Sequence, residues 1–198
     1  MLSEAKFKTP LANLDFGNDV LEHGSVQRMR LREIPFVPLT NLRVNPSLPS
    51  VREAVRRVTG LDLPLIPNTI SSSADCVAMW LAPDEWLLRW YGSGQGHALA
   101  LDRELNGTFH AVNELGSGYS VLELSGPFAR DVLSKGCPLD LHPRSFGPLH
   151  CAQSHFFKAN VLLRLSGAGD GDAWEVLVRR SFADYTAHML LDAMLEYQ

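Results

Sequence analysis

Between Cys76 and Gly92 the chain reads CVAMWLAPDEWLLRWYG. Residues 76–82 are apolar throughout, a pattern that suits a strand only where both of its faces are covered. Residues 86–91 place Trp86, Leu88 and Trp90 on one side and Leu87, Arg89 and Tyr91 on the other. Pro83 presets φ for a turn and Asp84 can bond its own backbone, so Ala82-Pro83-Asp84-Glu85 reads as a tight reversal. The stretch is predicted to be a β-hairpin inside a sheet. Three of the four tryptophans, Trp80, Trp86 and Trp90, fall within it. Cross-strand packing in a core accounts for them better than an aromatic ligand cage.

The flanking sequence repeats a simple order. LRV (42–44) is a short strand. SVREAVRRVTG (50–60) is a helix, with Ser50 and Glu53 spaced as a capping box and Gly60 at its stop. After the hairpin, HALALDREL (97–105) reads as a helix and FHAVNEL (109–115) as a strand. Residues 40–115 therefore run β-α-β-β-α-β, the ferredoxin-like unit.

The second half follows suit with YSVLEL (119–124) as a strand and GPFARDVLSKG (126–136) as a helix. In that helix Pro127 stands in the first turn and Gly136 at the end. Residues 151–165 and 174–179 read as two strands joined by SGAGDGDA, and Ser181 and Asp184 open a last amphipathic helix. A sixth strand is missing, and either the N-terminal arm or residues 108–114 could supply it. The expected fold is α+β: two tandem ferredoxin-like α-β plaits over 39–115 and 116–198, after an extended N-terminal arm over 1–38.

The arm lacks periodicity, and Pro35 and Pro38 interrupt helix and central strand alike. A strand is expected only near Val26 to Arg32. Leu11, Leu14, Phe16, Leu21, Ile34, Phe36 and Val37 have no evident face of their own to be buried on, so the arm is expected to lie against a partner, with cover of the chain's own second plait as the alternative.

Charge and composition exclude several classes. A net charge of −4 over 198 residues offers no basic footprint for nucleic acid or anionic membrane. No apolar run reaches the roughly 18 residues of a membrane span. The opening MLSEAKFKTPLANLDFGN lacks a signal-peptide core, and Cys76, Cys137 and Cys151 match no disulfide framework. A reducing cytoplasm is the expected setting.

Several motifs resemble sites and have plainer readings. GSGQG (Gly92, Gly94, Gly96) follows a strand and precedes a helix, with Glu114 downstream, as a dinucleotide turn would. Its third glycine comes one position early, and its strand belongs to a hairpin. SGAGDGDA carries Asp170 and Asp172, which repel phosphate, and no glutamate closes a calcium loop. His142, His150, Cys151 and His155 cluster in sequence without the paired spacing of a zinc site. Cys137 follows Lys135 and could be an activated thiol, but SKGCP is also a helix stop. RRV (56–58) and VRR (178–180) read as solvated faces. No catalytic, cofactor-binding or metal residue is assigned from the residues alone.

WLAPDEWLL (80–88), LGSGYSVLELSGPFARDVLSKGCPLDLHPRSF (115–146) and VRRSFADY (178–185) together resemble the gamma subunit of bacterial heterotetrameric sarcosine oxidase. That family is similar in fold to the folate-binding part of the glycine-cleavage T-protein, itself built from α-β plaits. The resemblance implies an assembly that oxidises sarcosine to glycine and hydrogen peroxide and passes the one-carbon unit to tetrahydrofolate. It places FAD, FMN and NAD on the alpha and beta subunits and zinc on the delta subunit. The gamma chain is left as a non-catalytic partner, chiefly of alpha. A free-standing folate enzyme of the T-protein type is the competing reading. Such enzymes carry an acidic pair on a strand, and SHFFKANVLLRL (154–165) has no acidic residue with which to position an amine. A related iron–sulfur-repair family continues its KGC with an aromatic residue and GQE, whereas Lys135-Gly136-Cys137 continues PLDL.

Overall fold

The hairpin forms as the alternation requires. β4 (Cys76–Ala82) and β5 (Glu85–Trp90) are antiparallel, with Trp80 opposite Trp86 and Cys76 opposite Trp90. The structure is a computed structural model that describes residues 8–16, 29–92, 96–167 and 172–197. Beside the hairpin stand β2 (Leu39–Val44), β3 (Ile70–Ser72) and β6 (His110–Glu114), making an antiparallel sheet ordered β3-β4-β5-β2-β6. A second antiparallel sheet, β1-β7-β10-β9-β8, contains β1 (Arg30–Ile34), β7 (Tyr119–Gly126), β8 (Cys151–Phe156), β9 (Ala159–Gly167) and β10 (Asp172–Arg179). Four α-helices, α1 (Pro49–Thr59), α2 (His97–Glu104), α3 (Ala129–Ser134) and α4 (Ala183–Met194), and three short 3-10 turns complete the described elements.

Side-chain alternation builds three cores. Trp86, Leu88 and Trp90 join Val51 and Val55 of α1 and Leu101 of α2. Trp174, Val176 and Val178 of β10 join Val132 and Leu133 of α3 and Leu190 of α4. Residues of opposite parity, Val77, Met79 and Leu87 from the first sheet and Val121, Leu162 and Leu177 from the second, form a third core between the sheets. The layers therefore run helix, sheet, sheet, helix, and each sheet is covered on both faces. The uniform apolarity of residues 76–82 has this cause.

Several sequence expectations need correction. The span 151–165 is two strands, because the chain reverses at Phe157, which takes φ 48 and whose N–H donates to the Gly136 carbonyl at 2.8 Å. A Cβ on Gly136 would meet the Phe157 ring at 2.7 Å, so this glycine serves close approach. In α1 the capping box does not form: Leu48 is the N-cap, Pro49 opens the helix and Ser50 lies inside it. Pro at the first position starts the helix upstream of the serine. Gly60 does stop α1, at φ 70. Pro127 precedes α3, whose N-cap is Phe128. Ser181 sits in a 3-10 turn (Arg180–Phe182) before α4.

The arm supplies the strand that the second half lacked, β1 pairing with β7. It also fills the chain's own cores. Leu11 is 2% exposed with Leu14 and Phe16 packed beside it, and Val37 lies between the sheets. For these residues the expectation of a partner is corrected in favour of its alternative, cover of the chain's own core; Phe36 alone of the described ones stays largely exposed. Leu21 lies outside the described residues.

Candidate functional site

The alternation that sends Trp86 and Trp90 toward the helices sends Arg89 toward the other sheet. There it meets two more charges on apolar strands, Arg164 of β9 and Glu175 of β10, which face each other in register. All three are at least nine-tenths buried. Arg164 Nε donates to Glu175 Oε2 at 2.8 Å, its Nη2 lies 2.7 Å from Oε1, and Arg89 Nη2 lies 3.2 Å from that oxygen. Arg89 also stacks over the Tyr91 ring at 4.1 Å. One carboxylate thus ties a strand of each sheet together.

Burial opposes the charge on Arg164, yet the hydrogen bond and charge of Glu175, helped by Tyr91, hold its pKa above the ordinary guanidinium value. Both Glu175 carboxylate oxygens are engaged as acceptors by the guanidiniums, which fastens strands of the two sheets to each other.

Two further titratable groups are buried nearby, Cys76 in the core between the first sheet and its helices and Cys151 in the core between the sheets. Burial, aided by Asp75 and opposed by Arg89, pushes the Cys76 thiol up to about 12. Burial pushes Cys151 up to about 11, against the Trp80 backbone and the Arg164 charge. Both thiols titrate near 9.0 when free of this environment. Above that pH the unfolded chain loses protons that the folded chain keeps. This stabilisation is therefore complete below pH 9 and is lost as pH rises toward 11 and 12. Urea unfolding at stepped alkaline pH should show a loss of roughly 1 kcal/mol per thiol per unit. A flat profile across that window would contradict the burial assignment.

The residues singled out from sequence do not converge. Trp86 and Trp90 are in the core, donating their indole N–H groups to the Pro64 carbonyl at 2.8 Å and to Thr40 Oγ1 at 3.0 Å. Trp80 is half-buried beside them. Gly92 and Gly96 take φ 75 and 81, and His97 stacks on Trp90 with centroids 4.0 Å apart at the start of α2. Gly94 and Asp170 lie outside the described residues. Glu114 ends β6 in solvent. Asp172 pairs with Arg130, which also holds the Phe146 carbonyl at 3.0 Å.

His142 and His150 accept backbone N–H groups of their own loop, from Arg144 and Gly147, and His155 is exposed on β8. Among the described residues no three His, Cys, Asp or Glu side chains gather as a metal site. Lys135 donates to the Ala193 carbonyl at 2.6 Å and pairs with Glu196, while the Cys137 sulfur lies 3.6 Å from Ser154 Oγ. Arg56, Arg57, Arg179 and Arg180 are exposed. No described helix is long and apolar enough to cross a membrane.

The buried trio was missed from sequence, although a signal existed. Arg89, Arg164 and Glu175 are lone charges inside apolar strand runs, and buried charges are ordinarily paired. The absence of acidic residues from 154–165 stands, but the nearby carboxylate comes from the neighbouring strand.

The chain matches the sarcosine oxidase, gamma subunit family over residues 43–196. It is 34% identical over 193 residues to sarcosine oxidase subunit gamma of Corynebacterium sp. (strain U-96), covering 96% of this chain and 91% of that one. It superposes on a chain of the heterotetrameric sarcosine oxidase from Corynebacterium sp. U-96 in complex with pyrrole 2-carboxylate with a TM-score of 0.85. Identity there is 32%, and 96% of each chain is covered. The glycine cleavage system aminomethyltransferase T from Bartonella henselae shares the fold, with a TM-score of 0.62 at 19% identity, over 83% of this chain and 45% of that one.

Proposed function

The chain belongs to the sarcosine oxidase gamma subunit family, and from that premise we propose that it is the gamma subunit of a heterotetrameric sarcosine oxidase and contributes cohesion rather than chemistry. The observation that carries this reading is the superposition covering 96% of both chains on a member of such an assembly. The locked Glu175 supports the non-catalytic part, since the carboxylate nearest to the seam is already held by two arginines. In the proposal, FAD, FMN, NAD and zinc sit on the alpha, beta and delta subunits. Alpha is the chief contact, and the assembly converts sarcosine, oxygen and tetrahydrofolate to glycine, hydrogen peroxide and 5,10-methylenetetrahydrofolate. The cytoplasmic setting belongs to the same proposal and is supported by three unpaired cysteines.

We also read the halves 39–115 and 116–198 as ferredoxin-like plaits, with the arm lending β1 to the second. The sub-orders β6-β2-β5-β4 and β1-β7-β10-β9 support this, since the first and third strands of each plait stand at its centre.

The purified full chain is expected to be colourless, to leave sarcosine unoxidised and to show no binding in a tetrahydrofolate titration. A flavin absorption band that survives gel filtration of the chain alone would overturn the assignment.

A further inference from the structure

A cavity of about 470 Å³ lies where the arm meets β7, lined by Ile34, Val37 and Val121 and by Lys8, Glu33 and Arg180. Two of its features are unfavourable within the chain itself. Phe36, at its rim, has φ 54 and is 62% exposed. It follows Pro35 in a turn whose positive-φ position suits glycine, so it carries strain that burial does not offset. Lys8 and Arg180 have no carboxylate partner among the described residues, although Arg180 Nη2 donates to the Lys8 carbonyl at 3.0 Å. Arg179 lies over Tyr119 of the same wall. Two cations therefore stand with one carboxylate, Glu33, in the cavity wall, while Arg179 lines a separate groove beside Leu177.

An exposed aromatic ring and a local excess of positive charge both become favourable once an acidic and apolar group enters. We propose that this cavity is the socket for an acidic, apolar segment of another subunit of the oxidase. Its apolar side chain lies against Val37 and Phe36, and its carboxylate faces Lys8 and Arg180. The inference rests on the gamma-subunit reading.

The test co-expresses tagged full chain with the other oxidase subunits and measures the concentration dependence of assembly, beside the Tm of each purified full chain. Phe36→Gly is expected to keep or raise Tm while weakening assembly at least about tenfold. Arg180→Glu, at an exposed position, is expected to weaken assembly and flatten its salt dependence. Wild type that assembles while Phe36→Gly and Arg180→Glu assemble equally well overturns the socket alone. Wild type that fails to assemble overturns the gamma-subunit reading, and the socket with it.

Discussion

Alanine in place of Trp86 is expected to destabilise the chain by about 3–5 kcal/mol, the range for truncating a buried large aromatic side chain. The indole is fully buried among Leu42, Val51 and Leu101, and its N–H satisfies the Pro64 carbonyl at 2.8 Å. The substitution leaves both a cavity and an unpaired acceptor. Against a typical total of about 5–15 kcal/mol, that loss removes a large part of the folded population. Trp90→Ala acts in the same direction through Thr40 and the stacked His97. Yield of the assembled oxidase should fall while turnover per flavin in surviving complexes stays constant. Normal assembly with reduced turnover would place these tryptophans in a site.

Glu175→Ala is expected to have a comparable effect by a different route. It leaves Arg89 and Arg164 buried between the sheets without a counter-charge, which costs about 3–5 kcal/mol. Replacing all three at once, as Arg89→Met, Arg164→Met and Glu175→Leu, should recover most of that loss, because the desolvation of the charges disappears with them. Urea midpoints of the single and triple variants separate the two contributions. Unchanged stability for Glu175→Ala would contradict the cohesive role.

The hairpin, Gly60 and the two β-α patterns were legible because each rests on local chemistry: alternation, a proline turn, a left-handed stop. The source of the sixth strand was not, since the pairing of β1 with β7 is made over a long separation in the chain. The reversal at Phe157 was hidden for the opposite reason. An apolar aromatic occupies a positive-φ position and carries no turn signal, although Gly136, separated from it in sequence by a loop and β8, leaves room for its ring. Within the buried trio, each charge is visible in its strand, yet the pairing of Arg89 with Glu175 depends on two sheets packing face to face. The arm was misread because its apolar residues follow the shape of the core they cover rather than a period of their own.

The central claim, that this chain is one subunit of a larger oxidase and does no chemistry alone, is met most directly by native mass spectrometry of the tagged full chain drawn from its own cells. The expected result is a heterotetramer with one copy of this chain, its flavin remaining with the other subunits when the chain is dissociated. Recovery of the chain alone, or as a homo-oligomer carrying its own flavin, would contradict the claim.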